Sequence, residues 1–457
     1  MAYQIIDSFR TKEIYNQRVA FQLPLNYGQP EGTKIQIVVN ITQKYDEAIK
    51  NNTEGKVYLP SSPKLIAYLQ GGPGFPCAVP TTNSGMTKVL LDKGYQIVYL
   101  DQRGTGLSTP LEVATFKSLV EETYGDFTVK SQLEFILNFR ADSIVQDLES
   151  IRRELIPEQK LSLLGQSYGG FISFSYMSKY PDSLKEVLIT GGVPPVGFKV
   201  DDVYQATYAR TVERNVHYYT KYPQDRPKVV EICEYLLDNE VTLPNGGTLS
   251  VERFQQLGLR FGGAGGSDNI HEIVTKFAYD LHLFQHPTYQ ISSTIESQLG
   301  FDTNVIYALF QEAIYCEGNM TSNWSAQRLR VGLSVGNVRQ VYFTGEMVYK
   351  SMFEDYAELR PFKQLAYALH EHTNWSSLYD VNVLKSITWE KLPIVAATYF
   401  HDQYVDFDLT RKVKQELFGN DNLKQYITSE YFHNGLRADP EKVLGALFSL
   451  LETGDVD

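Results

Sequence analysis

The sequence predicts an α/β protein with a mostly parallel central sheet flanked by helices and interrupted by a large, mostly helical insertion. Three observations predict it. Short, nearly continuous apolar runs recur as KLIAYLQ (64–70), YQIVYL (95–100), LSLL (161–164), EVLITGG (186–192) and LPIVAATYF (392–400), and parallel strands buried on both faces need such runs. Helical periodicity lies between them, so strand and helix alternate. The alternation stops after Phe198 and returns near Lys391, with a Tyr-rich stretch of few strand signals in between.

In chain order, VAFQLPLNY and KIQIVVNIT, separated by GQPEG, read as an antiparallel hairpin within residues 18–45 that opens the sheet. The runs at 64–70 and 95–100 follow, each ending in a glycine-containing loop. From 141 to 155, Ile144, Val145, Leu148, Ile151 and Leu155 recur at three- and four-residue spacing with charges between them, which predicts an amphipathic helix. LSLL then runs directly into GQSYGGFISF, and EVLITGG supplies the next strand. Beyond VPPVGF, segments such as YQATYARTVERNVHYYTKY are helical in pattern, and sheet patterning resumes with LPIVAATYF and a last strand, QYITSEYF (425–432). The expected organisation is a core over 1–195, a helical cap over 196–388, and completion of the core over 389–457.

Bulk properties narrow the function. At 457 residues the chain exceeds what one small core organises, and 43% hydrophobic with 21% charged residues is an ordinary globular balance. A net charge of −12 argues against nucleic acid or an anionic membrane as partner. Cys77, Cys233 and Cys316 are odd in number and lack CxxC spacing, so neither a disulfide framework nor a zinc site is expected. The first residues, MAYQIIDSFRTKEIYNQRV, lack the apolar h-region of a signal peptide, and no stretch approaches the roughly 18 apolar residues of a membrane span. A soluble, cytoplasmic protein is expected, so the glycosylation-type triplets at Asn52, Asn319 and Asn323 read as chance matches.

The chemistry concentrates in a few motifs. Gly165-Gln166-Ser167-Tyr168-Gly169 fits G-x-S-x-G between a predicted strand and a predicted helix, the context in which the nucleophile elbow of the α/β-hydrolase fold lifts a serine above the sheet. Gln70-Gly71-Gly72-Pro73-Gly74 follows an earlier strand, where Gly72 can supply one backbone donor of an oxyanion hole and Tyr168 the other. The acid and histidine of such a triad follow the serine in chain order, past the ends of late strands. His433 in SEYFHNG fits the base and Asp402 in YFHDQYVD the acid, with Asp406 and Asp408 as rivals that read more simply as a solvated helix start. His217, His271, His282, His286, His370 and His372 show no metal-ligand spacing, and no metal or cofactor is expected. Gly262–Gly266 has no Walker lysine after it and reads as a flexible cap loop.

LQGGPGFP (69–76), LDQRGTGLS (100–108) and GQSYGGF (165–171) together resemble the prolyl aminopeptidases, also called proline iminopeptidases. FRADSIVQDLESIRREL, EAIYCEGNMTSNWSAQR, YFTGEMVYKSMFEDYAELRPF and SEYFHNGLR are similar to the longer branch of that family, so the resemblance spans about residues 18–437. It implies an α/β-hydrolase core with a helical cap, a triad of Ser167, Asp402 and His433, no cofactor, and release of N-terminal proline from peptide substrates. It further implies that acidic cap residues hold the substrate's free ammonium, with Glu312 in QEAIYCEG and Glu346 in TGEM as the matching positions. One departure is Gln70, where the family often has histidine. The Tyr-rich cap and Trp324 offer aromatic walls for a proline ring. Competing readings are an aminopeptidase or esterase of the same fold with another acyl preference, and a catalytically silent binding protein.

Overall fold

A parallel strand can be covered on both faces only if its side chains are apolar in both directions, and the middle of this sheet is built from such strands. The computed structural model describes residues 3–51, 55–330, 341–419 and 422–454. Its strands are β1 (Tyr3–Arg10), β2 (Ile14–Pro24), β3 (Lys34–Lys44), β4 (Leu65–Leu69), β5 (Gln96–Leu100), β6 (Leu161–Gln166), β7 (Leu184–Thr190), β8 (Ile394–Tyr399) and β9 (Leu423–Thr428). They form one sheet in the order β1-β2-β3-β5-β4-β6-β7-β8-β9. The first three strands and the β3–β5 pairing are antiparallel, and all pairings from β5 to β9 are parallel. Every residue of β4, β6 and β8 is buried, the pattern their apolar runs anticipate.

Two strands differ from the sequence reading. β1 was not foreseen: YQIIDSFR alternates between half-buried and exposed positions at the sheet edge, so it lacks a continuous apolar run. β9 lies earlier than residues 425–432, because an edge strand with partly exposed residues gives only a weak signal of its limits.

Helices Ala141–Leu155 and Tyr168–Lys179 pack together, and their apolar residues share a core with one face of the sheet. Gly85–Asp92 and Pro440–Thr453 cover the other, where Leu90, Leu91, Val443, Leu444 and Leu447 meet Ile66, Ile97, Leu164 and Val395. The expected helix over 141–155 is present with those bounds, Asp142 in its first turn and Arg152 and Arg153 in its last, each complementing the helix dipole.

Between β7 and β8 the regular elements of the described residues are helical. They do not pack as one block. Tyr218, Val229, Phe254, Phe261, Phe277 and Phe343 belong to a separate apolar cluster, whereas Ile306, Phe310, Trp324, Phe353 and Leu365 join the main core under the sheet. Among the described residues no helix is long and apolar enough to cross a membrane.

One buried ion pair ties the hairpin, the loop after β5 and helix Ala141–Leu155 together. Arg103 donates to both carboxylate oxygens of Asp147 (2.7 and 2.6 Å), to the carbonyls of Leu25 (2.8 Å) and Asn138 (2.6 Å), and to that of Pro24 (3.1 Å). Tyr27 donates to the same carboxylate (2.7 Å), and both charges are 1% exposed. Removing one partner leaves the other charge buried and unpaired. Arg103→Met is therefore expected to lower unfolding free energy by about 3–5 kcal/mol in urea titration; a loss below about 1 kcal/mol would show that the network does not brace the fold.

Candidate active site

The elbow after β6 is shaped by backbone sitting on backbone. Ser167 adopts φ 53° and ψ −123°, a conformation that costs an L-residue energy and persists only when its surroundings impose it. Its N–H donates to Thr190 O (3.0 Å) and its carbonyl accepts from Gly170 N (2.8 Å). A Cβ at Gly169 would lie 1.9 Å from Leu69 O, one at Gly170 2.1 Å from Gly192 O, and one at Gly165 2.5 Å from Gly169 O. Only glycine permits these approaches, so β4, β6 and the helix beginning at Tyr168 close around the serine.

The predicted oxyanion loop stands over it. A Cβ on Gly71 would lie 2.9 Å from that of Ser167, and Gly72, at φ +126°, lines the same cavity as Ser167. Tyr168 opens the helix, so its amide is one of the first-turn N–H groups with no intrahelical acceptor. The loop is held by the LDQRG motif: Gln102 donates to Gln70 O (2.8 Å), and Asp101 accepts from the amides of Cys77 and Leu107 (2.9 Å each). Gln70, the departure from the family pattern, is fixed through its side chain by the Tyr68 hydroxyl (2.6 Å).

Past β8 and β9 the two remaining candidates meet. His433 Nδ1 lies 2.7 Å from Asp402 Oδ2, while Asp402 Oδ1 accepts from the amides of Tyr404 (2.8 Å) and Val405 (3.1 Å). The carboxylate is thus fixed on one side by backbone and points the other oxygen at the imidazole. Burial pulls the His433 pKa down, but the charge of Asp402, its hydrogen bond and the charge of Glu346 together hold it above its ordinary value. The rival acids are engaged elsewhere: Asp406 caps the helix Phe407–Leu417 through Leu409 N (2.9 Å), and both Asp406 and Asp408 hold Arg210.

Ser167, His433, Gly71, Gly72 and Glu346 line one cavity of about 480 Å³. Glu346 accepts from the Tyr307 hydroxyl (2.6 Å), and burial raises its pKa above the usual carboxylate value while the nearby His433 charge pulls it down. Glu312, the other position expected to hold the ammonium, is not among the residues lining this cavity. Its carboxylate accepts from the amides of Ser325 and Ala326 (3.0 Å each) and lies 3.1 Å from His370 Nδ1. Trp324 is likewise no wall of the cavity; it stacks on His370 at 3.6 Å, inside the fold.

Sequence reasoning missed three parts of the site. Phe75 and Tyr307 pack edge to face at 4.9 Å and form an aromatic wall. Tyr404, two residues past Asp402, packs against the His433 ring at 4.7 Å. The Gly262–Gly266 run is part of the cavity: Gly262 O accepts from His433 N (2.8 Å), and a Cβ on Gly262 would fall 2.1 Å from Tyr404. A glycine cluster outside any phosphate motif is the signal that could have marked this close approach. Among the described residues no group of three or more His, Cys, Asp or Glu is arranged to hold a metal ion.

Residues 65–223 match the family model of the alpha/beta hydrolase fold. A proline iminopeptidase of Aeromonas sobria is 39% identical over 388 residues, covering 84% of this chain and 87% of that protein. A proline iminopeptidase of Aspergillus aculeatus is 36% identical over 447 residues, covering 94% and 92%. The crystal structure of a proline iminopeptidase from Mycobacterium smegmatis covers 95% of this chain and 97% of its own at 13% identity and a TM-score of 0.42, too distant to add weight. On the extent and level of the two sequence matches, the chain belongs to the proline iminopeptidase family, on the α/β-hydrolase fold.

Proposed function

We propose that the protein is a serine aminopeptidase that releases N-terminal proline from peptides, with Ser167 as nucleophile, His433 as base and Asp402 as the acid that orients it. The observation that carries this reading is a single cavity lined by the strained serine, the Asp402-bound histidine and the half-buried carboxylate of Glu346. The names of the two relatives support the proline preference.

In this mechanism Ser167 Oγ attacks the carbonyl of the N-terminal residue and its proton passes to His433 Nε2. The Gly72 and Tyr168 amides donate to the oxyanion that forms, each worth about 3–4 kcal/mol by the cost of losing such a donor. His433 then gives the proton to the leaving amine, and water, deprotonated by the same imidazole, hydrolyses the acyl-enzyme. Glu346 pairs with the substrate ammonium, and Phe75, Tyr307 and Tyr404 supply the apolar walls for the pyrrolidine ring. The free, buried state of Cys77, Cys233 and Cys316 supports a cytoplasmic location.

Hydrolysis of proline β-naphthylamide beside its N-acetyl derivative tests amine recognition. Wild type is expected to cleave only the free amine, and Glu346→Gln to lose on the order of a hundredfold in kcat/KM, because the ammonium then enters a buried site without its counter-charge. Equal cleavage of the acetylated compound would sink the aminopeptidase reading.

The pH profile tests the base. His433 works only when neutral, and its pKa is held above its ordinary value of 6.5, so kcat/KM is expected to rise with pH along an acid limb centred above 6.5. Asp402→Asn removes the main stabiliser of the imidazolium. The limb should move to lower pH while kcat falls by about 10⁴-fold; an unmoved limb would assign it to another group.

A further inference from the structure

The active-site cavity has a charge asymmetry that the mechanism above leaves unused. Among the described residues Glu346 is the only carboxylate in its lining, and it is half-buried. Two other lining residues, Arg260 and Arg437, are exposed cations on a chain of net charge −12. Four cap arginines hold carboxylates, Arg210 with Asp406, Arg253 with Asp302, Arg328 with Asp201 and Arg330 with Glu252, while Arg214 and Arg360 donate to backbone carbonyls. Among the described residues neither Arg260 nor Arg437 forms an ion pair, and the partner of Arg437 is the neutral hydroxyl of Tyr68. Both charges act inside the site, since Arg437 opposes protonation of His433 and Arg260 exerts its field on Tyr404.

Part of the cavity wall shared by these cations and the serine is nearly bare. Gly263, Ala264, Gly265 and Gly266 line it with backbone and one methyl group, and a Cβ at Gly266 would fall 1.8 Å from Arg260 O. The backbone thus turns back onto Arg260 at Gly266, and this stretch adds no side chain larger than a methyl group to the lining. Asn269 and Asn434 are polar but neutral, so no protein carboxylate in the lining competes for the two guanidinium groups. Guanidinium is the side chain best suited to hold a carboxylate by paired hydrogen bonds, and a recessed cleft strengthens that pairing relative to open solvent.

The geometry points to a carboxylate-binding subsite on the leaving-peptide side, formed by Arg260 and Arg437. Resting on the aminopeptidase reading, it makes the cavity complementary to a short zwitterionic peptide: ammonium at Glu346, scissile bond at Ser167, carboxylate at the arginines. The carboxylate can come from the C-terminus of a dipeptide or from an acidic side chain next to the proline. Discrimination between acid and neutral leaving groups then belongs to these two residues.

The test compares kcat/KM for Pro-Gly with Pro-Gly amide, which reads a C-terminal carboxylate, and for Pro-Glu amide with Pro-Gln amide, which reads a side-chain one. Wild type is expected to prefer the acid about tenfold or more in at least one pair, and Arg260→Gln, Arg437→Gln and the double variant to bring that ratio toward one. Any effect of Arg437 on His433 is common to both members of a pair and cancels in the ratio. A ratio near one for wild type in both pairs, or a preference that survives the double substitution, overturns the proposal. Proline β-naphthylamide has no carboxylate, so its cleavage by wild type reports on the aminopeptidase assignment separately: cleavage with flat ratios defeats only the subsite, and no cleavage defeats the assignment itself.

Discussion

Close contact between backbones at the elbow is the constraint on which the site depends. Gly165, Gly169, Gly170 and Gly192 let β4, β6, the end of β7 and the helix from Tyr168 approach to distances no side chain allows. A Cβ on Gly192 would sit 2.3 Å from Ser167 O. That packing imposes the positive φ on Ser167, a cost of about 1–3 kcal/mol that the surrounding contacts offset. It also sets the serine directly beneath Gly71 and at the ends of the strands from which the acid and base loops emerge. Loosening any of these contacts moves Ser167 and the amides proposed as oxyanion donors together, because they share the same backbone.

The second coupling runs between the cap and the catalytic loops. His433 N donates to Gly262 O, Gln403 donates to Gly258 O (2.9 Å), and Tyr404 donates through its hydroxyl to Leu259 O. Asp402, Gln403 and Tyr404 are consecutive, so the loop carrying the acid is also the loop that anchors the cap's glycine run. On the other side Tyr307 donates to Glu346, joining two cap segments over the cavity. The cap is therefore built onto the loops that carry Asp402 and His433, and its geometry and that of His433, the proposed base, are set by the same hydrogen bonds.

Much of this was legible in the sequence because the physics is local. Continuous apolar runs marked β4 to β8, and strand-turn-helix context marked Ser167; chain order past two late strands picked out Asp402 and His433. What stayed hidden depends on tertiary partners. Glu312 and Glu346 are both glutamates in the cap, and only the structure shows that two helix-start amides and His370 occupy the first while the second faces the cavity. Gly262–Gly266 read as flexible because a glycine run that permits motion and one that permits close packing are the same letters. β1 sits at the sheet edge with alternating burial and carries no run to see.

The central claim is that Ser167 is the nucleophile of a site that recognises a free N-terminal amine. Intact-mass analysis after reaction with a serine-directed fluorophosphonate, followed by peptide mapping, addresses it directly. The account predicts a single phosphonyl adduct on Ser167, slowed by proline amide and not by N-acetylproline amide. Labelling elsewhere, or equal protection by the two amides, would contradict it.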